Sequence, residues 1–396
     1  MLTKAFIPYR GYYSSPFARW QGSMANANAI ILGAETTKRW LAEKNWDPKM
    51  FDYHFLGMTV HQHRMFYGST WSAAMIGATG IPGATVMQAC STSTTCVYQA
   101  SLGIETGYYQ NVYCMMVDRC SNGPHTVWPN PMGPGGEVES ENWLMDNFNK
   151  DPWAGNAMIH TAENVSKEAG VTREQCDEVA LRRYEQYTDA LADDSAFQKR
   201  YMFPVEVRLS KKKTLLVEAD EGITETTKEG LAKLRPVLPD GVHTYGAQTH
   251  PGDGNVGITV TTREKAKELS TDPGVEIQVI SYGYARAKKG FMAMAVVPAV
   301  KMALEKASIS IDEVKAVKTH NPFAANDIYL AQEMNIDVNG FNNYGSPLIF
   351  GHPQGPTAGR CIIEGIEEVA MMGGGYLLFG GCAAGDTGAA MVLKIG

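Results

Sequence analysis

Twice along this 396-residue chain, a β-rich run leads into a turn of small residues, then a helix, then another β-rich run. In the first half, Ala84–Ala89 precedes Cys90, and CSTSTTC opens a helix ending near Gly107. Asn111–Val117 then reads as a buried strand. In the second half, Glu276–Tyr282 is β-rich, Met292–Ala307 helical and Val314–Thr319 a strand. GHPQGPTAGR then opens a helix over Cys361–Met372, followed by the strand Tyr376–Phe379, a glycine-rich turn and a final strand. Strands that alternate with helices in this way predict a layered α/β chain built from two like halves. A further helix is expected over Asn26–Lys44, where Ile30, Leu32, Trp40 and Leu41 supply an apolar face.

Between the halves, Cys120–Tyr245 changes character. Pro124, Pro129, Pro131 and Pro134 with Gly133, Gly135 and Gly136 make an irregular start. Helices are expected over Thr161–Ala169 and Thr172–Leu191, and they carry much of the charge. So long an excursion inside an α/β unit is functional rather than a mere linker.

Composition excludes several classes. Net charge is −7, from 35 Lys and Arg against 42 Asp and Glu, so nothing favours general nucleic-acid binding. The longest basic run, Lys211-Lys212-Lys213, reads as a solvated loop or strand end, or as a contact to a ligand phosphate. No window approaches twenty apolar residues, and the opening residues lack an apolar signal segment, so neither a membrane span nor export is expected. Seven cysteines, an odd number with no CxxC pair, point to reduced thiols in a cytoplasm. The low charged fraction of 19% suggests a subunit interface.

Four residues stand where chemistry collects. Cys90 sits where a strand meets a helix N-terminus, which exposes the side chain and lowers a thiol pKa. A small core residue is the other reading of that cysteine. His320 follows a predicted strand, His352 lies in Gly351-His352-Pro353, and Cys382 opens the glycine-rich turn CAAGDTG. Strand ends are where α/β sites gather their residues. Separations of 230, 32 and 30 residues match no zinc spacing, so no metal site is expected. The set suits acyl transfer, with a thiolate nucleophile, a proton acceptor, oxyanion donors and a second acid/base. Of 40 glycines, 12 fall in Gly351–Gly396 around His352 and Cys382, where tight turns let backbone approach a ligand.

Taken together and in this order, the blocks VMQACSTSTTC, His320-Asn321-Pro322-Phe323-Ala324, Gly351-His352-Pro353-Gln354-Gly355 and Cys382 through Gly388 resemble the thiolase superfamily across essentially the whole chain. WLMDNF and HTAENV resemble that family's loop domain, and QTHPGDGN the segment closing its N-terminal half. The resemblance implies two duplicated α/β halves in a five-layered αβαβα arrangement with an inserted loop domain. The N-terminal half would span residues 1–119 and 246–270, the loop domain 120–245 and the C-terminal half 271–396. It further implies CoA-dependent thiolysis of a 3-oxoacyl-CoA through an acyl-Cys90 intermediate. His320 and His352 would assist, Cys382 would act as second acid/base, and the backbone of Cys90 and Ala384 would form an oxyanion hole.

Coenzyme A would be a co-substrate, with no permanently bound cofactor. His320 stands where most thiolases carry Asn, which is similar to the sterol-carrier-protein type. Met158-Ile159-His160 replaces the usual His-Met-Gly, which implies an unusual acyl group. PYRGYYSSPFARWQGS is similar to bacterial thiolases handling bulky substrates such as 2-benzoylsuccinyl-CoA, cleaved to benzoyl-CoA and succinyl-CoA. Trp143, Phe148 and Met158 are pocket candidates, together with Trp128 and Trp153, or else they pack the insert. The resemblance also implies a homodimer or larger, and a small separate zinc-ribbon and OB-fold subunit in some relatives. An acetoacetyl-CoA thiolase, a ketoacyl-synthase-like enzyme and a non-catalytic acyl-CoA binder or scaffold are the alternatives. Cys382 argues against the synthase, whose decarboxylative chemistry needs no second thiol.

Overall fold

The computed structural model describes residues 1–396. The first half runs β1 (Tyr12–Ser14), α1 (Ala29–Glu43), β2 (Tyr53–Gly57), α2 (Gly68–Ile76), β3 (Gly83–Val86), α3 (Thr92–Glu105) and β4 (Asn111–Arg119). The insert follows, with the hairpin β5 (His125–Pro129) and β6 (Val138–Asn142), then α4 (Met158–Ala169) and α5 (Arg173–Ala190). A second hairpin joins β7 (Val205–Ser210) to β8 (Lys213–Val217), and β9 (Gly252–Thr261) returns to the first half. The second half runs β10 (Ile277–Arg286), α6 (Val296–Ala307), β11 (Val314–His320), α7 (Ala324–Met334), α8 (Gly355–Met371), β12 (Gly375–Ala383) and β13 (Thr387–Ile395).

The first sheet has the order β1-β9-β4-β2-β3, with β9 antiparallel to both neighbours and β4, β2 and β3 parallel. The second has the order β10-β13-β12-β11, with β13 antiparallel to both neighbours and β12 parallel to β11. One pattern is therefore used twice, with β1, β9, β4 and β2 answering to β10, β13, β12 and β11. The counterpart of β3 is not a strand. There Asn342 donates its N–H to Val317 O at 3.0 Å, while its side-chain Oδ1 accepts the Thr319 N–H at 2.8 Å. The side chain takes a ladder bond that backbone would otherwise make.

Helices α1 and α2 cover the outer face of the first sheet, α6 and α7 that of the second, and α3 with α8 lie between the sheets. This gives five layers. Strands covered on both faces read as unbroken apolar runs, as Val112–Val117 does, and all six of its residues are buried. A helix between two sheets must be buried all round, and α8 is buried from Gly355 to Val369. Its charges are consequently paired internally. Arg360 donates to Asp220 at 2.6 and 2.8 Å and to Glu364 at 3.0 Å, and Lys318 meets Glu364 at 3.1 Å.

This helix starts at Gly355, earlier than the expected Cys361. Proline suits a first helical turn, and Pro356 occupies that turn here. The small residues that looked like a turn are there for close packing, since a Cβ on Gly359 would lie 2.9 Å from Ser93 Oγ on α3. No helix is long and apolar enough to cross a membrane.

Candidate active site

The chain leaves β3 through Ala89, whose φ of 45° lies in the left-handed region that non-glycine residues avoid. Strain of this kind persists where surrounding structure enforces it. It sets Cys90 at the head of α3, aimed across the central layer. His352 holds the matching place ahead of α8, its counterpart in the second half. The two meet, with Cys90 Sγ 3.1 Å from His352 Nε2. On the far side of the ring, His352 Nδ1 lies 2.7 Å from Thr357 Oγ1. For Nε2 to accept the thiol proton, Nδ1 must carry the ring proton and donate it to Thr357.

His320, at the end of β11, packs against His352 with ring centroids 4.2 Å apart and planes tilted by 36°. The donor atoms of Cys90, His320 and His352 lie within 4.8 Å of one another. Such a trio could ligate a metal, but metal-bound histidines are held through their second nitrogen. Both His320 nitrogens lack a partner, and the second nitrogen of His352 faces only a hydroxyl. The set is better built for moving protons. Cys382, at the end of β12, accepts from Asn326 Nδ2 at 3.2 Å and is close enough to Cys90 to feel its charge.

Burial governs the protonation states. Contrary to the exposed, lowered thiol expected at a helix head, Cys90 is buried, and burial pushes its thiol up to about 12 against hydrogen bonds from the backbone N–H groups of Ala384 and of Cys90 itself. Cys382 is also raised, by burial first and by Cys90 second, while the Asn326 amide pulls it down. Burial lowers His320 to about 3 and takes His352 well below its ordinary value, helped by the charges of His320 and His250. The resting site therefore holds neutral thiols and neutral imidazoles. Proton transfer and attack on a substrate must accompany one another, because an isolated charge would be costly here. Asp118 lies behind the site. Burial raises it to about 8, against backbone donors from Val60, Gly355 and Thr59.

A cavity of about 330 Å³ opens above Cys90, His352 and Ala384. Phe148, Met158, Met292 and Phe323 form much of its apolar wall. Two pocket candidates from the sequence thus reach it, and Trp143 does not. Its indole stacks on His61 with centroids 3.9 Å apart and donates to Thr59 O at 2.9 Å, pinning the insert to the loop after β2. Trp128 and Trp153 are also off the wall; Trp128 donates to Glu141 and Trp153 stacks with Arg286. Lys211, Lys212 and Lys213 are exposed at the turn joining β7 to β8, and none lines the cavity. The apolar side of that hairpin packs on Met24 and Leu32 of the first half.

Gln354, Asn326, Thr357 and Asp118 also border the site without being among the residues expected there. Thr357 sits five residues after His352, a spacing that places it on the first turn of α8 facing back to the ring. Gln354 lies two residues after His352 in the same loop, whereas Asn326 and Asp118 reach the site only through the fold.

The family description "Thiolase, N-terminal domain" matches residues 11–264, and "Thiolase, C-terminal domain" matches residues 275–395. The human mitochondrial 3-ketoacyl-CoA thiolase is 24% identical over 392 residues, covering 96% of each chain. Among solved structures, the Bacillus anthracis acetyl-CoA acetyltransferase shares the fold with a TM-score of 0.90 at 24% identity, covering 100% of this chain and 99% of that one. The human mitochondrial 3-ketoacyl-CoA thiolase in complex with CoA gives a TM-score of 0.89 at 24% identity, covering 99% and 98%.

Proposed function

The chain belongs to the thiolase family of acyltransferases, and on that premise we propose that it cleaves a bulky 3-oxoacyl-CoA with coenzyme A. The observation that carries this reading is the 3.1 Å contact between Cys90 Sγ and His352 Nε2 at the base of an apolar cavity.

In the proposed reaction His352 takes the Cys90 proton as the sulfur attacks the ketone carbon. The backbone N–H groups of Cys90 and Ala384 hold the oxyanion that forms. Collapse breaks the carbon–carbon bond and leaves acyl-Cys90 and a thioester enolate. The enolate oxygen lies against His320 and His352, whose imidazole N–H groups donate to it. The partnerless nitrogens of His320 support that role, since a buried polar atom without a partner is costly until a ligand arrives. Cys382 gives its proton to the enolate carbon and becomes a thiolate. Coenzyme A then gives its thiol proton to Cys382, and its sulfur displaces Cys90 from the acyl group.

The wall of Phe148, Met158, Met292 and Phe323 favours an acyl group with an aromatic or branched body. 2-Benzoylsuccinyl-CoA, giving benzoyl-CoA and succinyl-CoA, is the substrate we name. The Lys211–Lys213 turn is offered as a contact to the phosphates of coenzyme A. We also propose a homodimer, because β3 is an edge strand and Phe66, Tyr67 and Met87 are exposed by 99%, 66% and 45%. Seven free cysteines suit a reducing cytoplasm. A small zinc-ribbon and OB-fold subunit is a further proposed partner, to be sought by co-purification and zinc analysis.

The test is incubation with coenzyme A and either 2-benzoylsuccinyl-CoA or straight-chain 3-oxoacyl-CoAs, with mass spectrometry of the Cys90 peptide. An acyl adduct on Cys90, lost in Cys90→Ala, is expected. Full thiolysis by Cys90→Ala would end this reading.

A further inference from the structure

Each of the two sulfurs has a buried carboxamide beside it. Asn326, on the first turn of α7, places Nδ2 3.2 Å from Cys382 Sγ. Gln354, just ahead of α8, places Oε1 3.5 Å from Cys90 Sγ. Asn326 is 3% exposed and Gln354 is 2% exposed, so water contributes little to either amide.

Both arrangements are costly for the fold. Asn326 Oδ1 is buried without any partner, which ordinarily destabilises by the desolvation of that atom. Gln354 reaches the site only through φ 57° and ψ −103°, a strained backbone for any residue but glycine. A hydrocarbon side chain in place of Asn326 would fill the same space without leaving a buried oxygen unpartnered. What the amides offer is chemical.

We infer that Asn326 and Gln354 are positioning residues that hold Cys382 and Cys90 alternately as thiol and as thiolate. The inference rests on the acyl-transfer reading, in which each sulfur changes state twice per turnover. Cys90 passes its proton to His352 as its sulfur bonds to the acyl carbon, and it leaves as a thiolate when coenzyme A takes the acyl group. That thiolate recovers the proton from His352. Cys382 gives its proton to the enolate carbon and takes one back from the coenzyme A thiol.

A thiol needs an acceptor and a thiolate needs a donor. A carboxamide carries both on one carbon and stays neutral throughout. A carboxylate would offer acceptors alone, and an ammonium donors alone. Because Asn326 Oδ1 is unpartnered, half a turn about the Cβ–Cγ bond exchanges donor for acceptor and breaks no other hydrogen bond. The two amides are seen in opposite senses, Asn326 donating to Cys382 and Cys90 donating to Gln354. Besides the sulfurs, the titratable groups facing this cluster are His320, His352, His250, Asp118 and Asp327.

The experiment uses the full-length protein without any thioester. Iodoacetamide alkylation is followed against pH, and Cys90 and Cys382 are read separately by peptide mass spectrometry. The donor bond to a thiolate is the stronger of the two, being charge-assisted, so loss of the amide should disfavour the thiolate. Asn326→Ala is expected to slow alkylation of Cys382 about tenfold at a fixed pH and move its midpoint up by about one unit. Cys90 should keep its profile, and Asn326→Ser, whose hydroxyl both donates and accepts, should recover most of the loss. Gln354→Leu should move Cys90 in the same way and leave Cys382 unchanged.

An unmoved Cys382 profile in Asn326→Ala overturns the inference. So does a variant in which both cysteines shift together. If Asn326→Ala does not fold, Asn326→Asp, of equal shape but without the N–H donor, must slow Cys382 at least as much. The acyl-transfer reading fails separately, as the absence of any acyl-Cys90 adduct in the unaltered protein.

Discussion

Asp118 accepts the N–H of Gly355 at 2.8 Å, so a strand of the first half caps the central helix of the second. The same carboxyl accepts the N–H groups of Thr59 at 2.9 and 3.0 Å and of Val60 at 2.7 Å. A side chain of identical shape that cannot accept on both sides should break this junction. Asp118→Asn is expected to cost about 1–3 kcal/mol of stability in urea unfolding. It should also slow acylation of Cys90, because α8 carries the loop of His352. An unchanged midpoint would mean that the junction is incidental.

Thr357 holds the His352 ring through Nδ1 at 2.7 Å, which leaves Nε2 facing the thiol. Thr357→Val keeps the volume and removes the oxygen. Turnover should fall by roughly tenfold or more, with KM little changed, since the ring then loses the partner that holds its Nδ1 and orients it. Steady-state kinetics on one thioester would decide this. A change confined to KM would count against it.

His320 gives acid stability a definite sign. Its folded pKa of about 3 lies below the ordinary histidine value of 6.5. The unfolded chain therefore takes up a proton before the native one does as pH falls. Stability contributed by neutral His320 is present above about pH 6.5 and is lost on descent toward pH 3, at up to about 1.4 kcal/mol per pH unit. His320→Asn should flatten the decline between pH 6.5 and 4 in urea titrations, although buried His54, lowered to about 4, keeps part of the slope. An equal slope in the variant would refute the assignment.

Phe148 belongs to the cavity wall and to no part of the proton path. Phe148→Ala should raise KM for a bulky aryl substrate by about tenfold, the equivalent of ~1.4 kcal/mol of lost apolar contact, and barely affect a short acyl chain. Parallel assays on the two substrates would expose a general defect as an equal loss on both.

Association can be tested without the chemistry. Phe66→Asp with Tyr67→Asp should halve the mass measured by light scattering if the β3 edge is the contact. A native protein that is already monomeric would dismiss that contact outright.

The sequence exposes the parts of the fold that depend on runs. Buried parallel strands such as β4 declare themselves by unbroken apolar residues, and the small residues after Cys90 mark the head of α3. The start of α8 was harder to read, because glycines chosen for packing against α3 look the same as glycines chosen for turning. Trp143 was ambiguous for a related reason, since an aromatic residue lines a pocket or fastens a loop with equal ease. The thiol and histidine positions stood out through their place at strand ends. Asn326, Gln354 and Asp118 could not be found this way. A single amide or carboxylate has no periodicity; Gln354 and Asp118 find their partners across the two halves, and Asn326 finds Cys382 fifty-six residues away.

The backbone of this protein is close to symmetric while its chemistry is not. Ala89 and Gln354, both with left-handed φ, flank a cysteine at one helix head and a histidine at the other. Two separate copies of a single half, paired about the same axis, would bring together two cysteines or two histidines and never one of each. Joining the halves in one polypeptide is therefore what permits a thiol and an imidazole to face each other here. Mutations can then specialise one helix head without dragging the other along.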